Sequence, residues 1–183
     1  MITINKSACV RGTSLIELIT TIGIIAAIAS IATPSFSNLL NNSKIDKTTT
    51  ELFSVLSVAR QNAITSGKDT YICELTTNNQ CSTNRPFGAA WNYGWLAFQD
   101  NNQNSNLDDD DTILVIHRNH TNIGVTFNQR GRLRFRHDGS ARSAGFCVCS
   151  EQSSKHILIL YSGRARIRNL DNQQRIEQCL ANF

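Results

Sequence analysis

Residues 15 to 32 (LIELITTIGIIAAIASIA) form an apolar run of 18 residues broken by a single acid, Glu17, and preceded by a short segment carrying Lys6 and Arg11. As a helix it would reach roughly 27 Å, close to the ~30 Å hydrocarbon thickness of a bilayer. The preference of basic flanks for the cytoplasm puts Lys6 and Arg11 there and everything after the run on the other side. Ala32-Thr33-Pro34 poorly suits a secretory cleavage site, so the run reads as an anchor. Beyond Pro34 apolar or small residues recur at Ile45, Thr49, Leu52, Leu56, Ala59 and Ala63, a 4-3-4-3-4 spacing that is one stripe of a helix. The helix should continue to about Ser66, stopped by Gly67-Lys68, with Pro34 kinking it rather than ending it.

No helical period follows. Short runs rich in β-branched and aromatic residues lie at 69–75, 94–99, 112–117, 123–127, 132–136, 145–150 and 156–161, each bounded by Asn, Gly, Ser or Asp. The pattern predicts an α+β fold in which a long N-terminal helix packs on antiparallel sheet.

Composition narrows the chemistry. With 183 residues, 40% of them apolar, and only 2 prolines, the chain can build one modest core. A net charge of +4 is too small for a polycation, so an anionic partner must be met by a local patch. Six cysteines at 9, 73, 81, 147, 149 and 179 show no CxxC spacing, which argues against structural zinc and for disulfides in an oxidising compartment. Cys73 and Cys81 flank a short polar segment and would staple it. No nucleophile elbow, metal motif or phosphate loop is present, so neither an enzyme nor a cofactor is expected. Asp100, Asn102, Asn104, Asn106, Asp108 and Asp111 keep the 1-3-5-7-9-12 register of a calcium loop. Ser105 stands where that loop has Gly and the flanks read as strands, which favours a polar hairpin tip.

The N-terminus carries a family resemblance. Arg11-Gly12 followed by Thr13-Ser14-Leu15-Ile16-Glu17 resembles the processing site of type IV prepilins, where a dedicated peptidase cuts after the Gly and methylates the new amine. Counted from Thr13, Glu17 is the fifth residue and Pro34 the twenty-second, both at the positions where pilins carry those residue types; Thr13 departs from the usual Phe. The resemblance implies the type IV pilin fold, with a leader at 1–12, a membrane and filament-core half-helix at 13–36, an amphipathic half-helix at 37–66 and a sheet head at 67–183. It also implies a single-pass inner-membrane protein with a periplasmic head, extracellular once assembled with other pilins and minor pilins. The new amine at Thr13 would find its counter-charge in a neighbouring subunit's Glu17. Without the leader, 16 basic residues would face 14 acidic ones.

Within the pilins the head resembles the GspH/FimT minor pilins and is most like FimT. The carrying residues are Gly94-Trp95-Leu96-Ala97-Phe98-Gln99-Asp100, the stretch from Phe127 to Arg134, Phe146 followed by Cys149, and a late strand ending Ser162-Gly163-Arg164-Ala165-Arg166. That last segment looks like the GRxR motif with which FimT-type pilins bind DNA in natural transformation. The resemblance makes Gly163, Arg164, Arg166 and Arg168 a DNA site with Lys155, Arg132 and Arg134 as auxiliary charges, and ties Cys149 to Cys179. On a strand, Arg164, Arg166 and Arg168 share one face at about 6.6–6.8 Å intervals, two phosphate steps of a DNA strand. Gly131-Arg132-Leu133-Arg134 repeats the pattern, and Arg130, Arg132, Arg134 and Arg136 alternate. They extend the DNA track or face the acidic run Asp108 to Asp111 of the same or a neighbouring subunit. The competing function is a structural pseudopilin that primes a pilus or a type II secretion pseudopilus without binding DNA, its Arg-rich edge serving only to deter aggregation.

Overall fold

The computed structural model of the chain describes residues 13–82, 86–91, 93–119, 123–150 and 153–169, with side chains for all of these except 31–36 and 38. Gly12, the leader and Cys179 lie outside them. The chain divides into two units, Met1–Leu39 and Leu40–Phe183. Helix α1 (Leu15–Ser66) is assigned across both, and Pro34 does not end it. Ser14 caps it: its carbonyl accepts the Leu18 N–H at 3.1 Å, which leaves Glu17 in the first turn. A carboxylate there opposes the unpaired amides and positive end of the helix.

Among the described side chains of the first unit, none of the apolar ones is buried. Leu15, Ile16, Leu18, Ile19, Ile22, Ile24, Ile25 and Ile28 are each more than half exposed. Among the described residues no helix is long and apolar enough to cross a membrane; the side chains of 31 and 32, which complete the apolar run, are outside that set.

The second unit buries the stripe its sequence predicts. Ile45, Thr49, Leu52, Leu56, Ala59 and Ala63 are all within 1% of complete burial. They pack against two antiparallel sheets. In the first, β1 (Thr70–Leu75) pairs along one edge with β3 (Gly94–Gln99), which pairs with β4 (Thr112–Arg118). The other edge of β1 is shared by β2 (Cys81–Ser82) at one end and β6 (Leu133–Phe135) at the other. The second sheet has the order β5 (Gly124–Phe127), β7 (Ala144–Cys149), β8 (Ser154–Ile159), β9 (Ala165–Asn169). One apolar cluster joins the helix stripe to Ile72, Trp95 and Ala97 of the first sheet and to Val125, Phe146 and Ile157 of the second. Trp91 closes it edge-on against Phe146 at 4.9 Å. A smaller cluster of Tyr71, Cys73, Leu75, Leu96 and Phe98 covers the other face of the first sheet.

Two details differ from the sequence reading. The late strand expected to run into the arginine motif is two strands: β8 starts at Ser154 and closes at Ile159, and the motif opens β9. The cysteines also need a correction. Cys73–Cys81 forms as expected, stapling β1 to β2 with Cα atoms 5.6 Å apart. The second bonded cysteine, however, is Cys147 and not Cys149. Its partner lies outside the described residues, and Cys149 is a free, buried thiol. The two have the same parity on β7, so their side chains leave the same face of the strand. Cys149 is 1% exposed and burial pushes its thiol up to about 12, while Cys147 is only half-buried. Disulfide exchange runs through the thiolate, which Cys149 does not form at neutral pH.

Candidate nucleic-acid interface

The arginine motif is built on a hairpin. Leu160 and Arg164 close a three-residue loop: the Gly163 N–H donates to the Leu160 carbonyl at 2.8 Å and the Leu160 N–H to the Arg164 carbonyl at 3.0 Å. Gly163 holds φ at +73°, the left-handed third position such a loop requires. A Cβ there would stand 1.9 Å from the Gly139 carbonyl oxygen and 3.0 Å from Arg60 Nε. Gly163 is buried and shapes the turn that carries the motif.

From that turn β9 runs back along β8 as the edge of its sheet, with Arg166 opposite Leu158 and Arg168 opposite His156. Strand alternation puts Arg166 and Arg168 on the face away from the core, since their neighbours Ala165 and Ile167 pair with the buried Ile159 and Ile157. Arg164, Arg166 and Arg168 are all exposed, and none is in an ion pair among the described residues.

The expected auxiliary charges are placed elsewhere. Lys155 has the opposite parity to His156 and Arg168; its Nζ bonds Asp46 Oδ1 of α1 at 2.5 Å, so it fastens the sheet to the helix. Arg134 pairs with Asp69, its Nε donating to Oδ2 at 2.6 Å, and the Asp69 carboxylate also accepts the His137 N–H. Arg132 lies over the Tyr71 ring at 5.0 Å. Strand β6 spans only 133–135, and Gly131 at φ +69° breaks the alternation before it, so Arg130 to Arg136 form no straight rail. With Arg142 these four arginines instead line a cavity of about 240 Å³. Among the described ion pairs, one of these arginines, Arg134, meets an acid, and it is Asp69 and not the run Asp108 to Asp111.

Sequence reasoning missed Arg60. It sits on the buried-stripe half of α1, and its Nε donates to the Gly139 carbonyl at 3.2 Å, the same oxygen that closes on Gly163. Arg60, Gln61 and Ser57 line a groove of about 360 Å³ against Gly163, Arg164 and Arg166. Nothing in the linear sequence marks this, because 103 positions separate Arg60 from Gly163 and only the β8–β9 turn joins them. Tyr161, 67% exposed, is the aromatic adjacent to the motif.

Residues 48–163 match the family described as Type II transport protein GspH. Two crystal structures of the type IV minor pilin FimU of Pseudomonas aeruginosa resemble the chain with TM-scores of 0.51 and 0.50 at 16% and 14% identity, covering 67% and 69% of this chain and 91% and 90% of FimU. The minor pseudopilin EpsH of the type 2 secretion system of Vibrio cholerae gives a TM-score of 0.46 at 10% identity, covering 70% of this chain and 99% of EpsH. No curated protein sequence matches the chain. At these identities the structural likeness is one of fold, while the family match spans more than half of the sequence, from the buried stripe of α1 through the β8–β9 turn. The chain belongs to the GspH family and has the fold of a type IV minor pilin.

Proposed function

We propose that this chain is a minor type IV pilin of the FimT kind that binds DNA during uptake, without sequence preference, through Arg164, Arg166 and Arg168. The observation that carries the reading is an edge strand that presents Arg166 and Arg168 exposed on one face at the repeat of two phosphate steps, with exposed Arg164 at the turn that opens it, all three outside any ion pair among the described residues. Arg60 adds a fourth cation at the turn, whereas Lys155 and Arg134 are engaged with Asp46 and Asp69 and contribute less. With Tyr161 alone beside the motif, stacking on bases is minor and the phosphate backbone dominates. No catalysis or cofactor is part of this role.

Assembly follows the N-terminal motif. A prepilin peptidase would cut between Gly12 and Thr13, and the exposed apolar residues from Leu15 to Ile28 would be covered first by the inner membrane and then by other pilins in the filament. Glu17, in the first helical turn, is then positioned to meet the new amine of a neighbouring subunit.

The test is DNA binding by residues 40–183, the unit that holds every buried core residue among the described residues. Three neutralised phosphates give a slope of log affinity against log salt of about −2.7, with affinity in the non-specific range of roughly 10⁻⁴ to 10⁻⁶ M. The second reading, a structural pseudopilin of a secretion system, is favoured by the family match to a type II transport protein. Absence of binding by the folded head at low salt would select it.

A further inference from the structure

The loop between β3 and β4 carries a second candidate centre, independent of the arginine edge. Asp100, Asn102, Asn104, Asn106 and Asp108 occupy the first five ligand positions of a calcium loop. The structure adds what the register alone lacks. Asp100 is 1% exposed, and its Oδ2 accepts the Ser105 N–H at 2.9 Å from across the loop, so the carboxylate is held inside it. Its Oδ1 is buried without a hydrogen-bond partner among the described residues. A carboxylate oxygen removed from water and given no donor is costly, and a cation in the loop relieves that cost directly.

The rest of the loop is arranged around the same interior. Ser105, at the position where a calcium loop uses Gly for its sharp turn, has φ at +64°. The side chains of Asn102 and Asn104 both converge on Asp108 Oδ2. Their Oδ1 atoms accept the Asn104 and Asn106 N–H groups at 3.1 and 2.7 Å, and an amide oxygen keeps a second lone pair for a cation without turning over. Asp111 does not belong to the donor set: its two oxygens accept the Asn101 and Asp108 N–H groups at 2.8 and 3.2 Å and clasp the loop shut. That leaves two carboxylates among neutral oxygens; among the described residues no group of three or more acidic, His or Cys side chains is disposed to hold a metal. The loop is fixed to β1 from outside by Tyr71 Oη against Ser105 Oγ at 2.8 Å, and Lys68 Nζ donates to Asn101 Oδ1 at 2.9 Å.

We propose that residues 100–108 bind one calcium ion through Asp100 Oδ1, the side-chain oxygens of Asn102, Asn104 and Asp108 and the Asn106 carbonyl, with water completing the shell. Oxygen donors on a bending loop suit calcium; magnesium demands a tighter octahedron and keeps its own water. Two charged ligands place the affinity at the weak end, about 10⁻⁴–10⁻³ M, the range of extracellular modules.

The experiment is thermal unfolding of the full-length chain in detergent micelles after chelator treatment, with calcium chloride added to tenfold above the fitted Kd. A rise in Tm of about 3–6 °C is expected. Magnesium at the same concentration and sodium chloride at the same ionic strength should not reproduce it. Asp108→Ala, at an exposed position where folding is not at stake, and Asp100→Asn should each weaken the fitted affinity tenfold or more, while Asp110→Asn retains it. No shift in the unmodified chain, an equal shift with magnesium or sodium chloride, or an undiminished shift in Asp108→Ala would overturn the proposal.

Discussion

Each arginine of the hairpin motif is one increment of salt dependence. Arg164→Gln and Arg166→Gln should each lower the magnitude of the salt slope by about 0.9 and weaken all DNA sequences alike; Lys155→Gln, which loses a bond to Asp46 instead, should leave the slope unchanged. Titrations at several salt concentrations distinguish the two outcomes. The Lys155 result also marks the limit of parity read from sequence. A strand read from residue 156 puts Lys155 in the preceding loop, whereas the strand starts at Ser154 and alternation sends Lys155 to the helix side. The choice between Cys147 and Cys149 was less legible still, since residues two apart share a face and burial by neighbouring elements separates them. With its thiol raised to about 12, Cys149 favours the neutral form in the folded state, a contribution fully present below about pH 9 and lost as pH rises toward 12. At pH 8 an alkylating agent should leave Cys149 unlabelled in the native protein and label it fully in denaturant, as read by mass spectrometry.

At the scale of elements, the amphipathic half of α1 was readable because a stripe of six positions has one period and one outcome. The hairpin was not, since only five residues, 160 to 164, separate β8 from β9 and their motif value hides their turn chemistry. Gly163 is the test. Gly163→Ala combines a left-handed φ with a Cβ driven into the Gly139 carbonyl, and should destabilise the head by about 1–3 kcal/mol. Urea unfolding should show the loss, and the DNA affinity of the fraction still folded should fall only through displacement of Arg164. β2 escaped the sequence reading because it is two residues long and held by the Cys73–Cys81 bond; β6 contracted to three because the turn at Gly131 consumes its start.

At the scale of the whole molecule, every buried apolar residue among the described residues lies between Ile45 and Ile159, whereas the described apolar side chains of the first unit are exposed. Removing residues 1–39 should therefore yield a head that is monomeric by size-exclusion chromatography without detergent, with the Tm of the full chain in micelles unchanged within about 2–4 °C, the equivalent of about 1 kcal/mol. The fold class was legible at this scale because the change of period at residue 67 separates helix from sheet without reference to tertiary contacts. The route of a ligand over the head was not, since Arg60 and Gly163 meet only through the β8–β9 turn. The open side of β9 has a colloidal consequence. Two such edges approaching as strands would set arginine against arginine, and that repulsion keeps heads apart. On the proposed DNA reading, a polyanion along the edge cancels the repulsion. Light scattering from the head should then pass through a maximum as DNA is added, near one bound phosphate per exposed β9 arginine, and fall again when excess DNA recharges the complexes with the opposite sign.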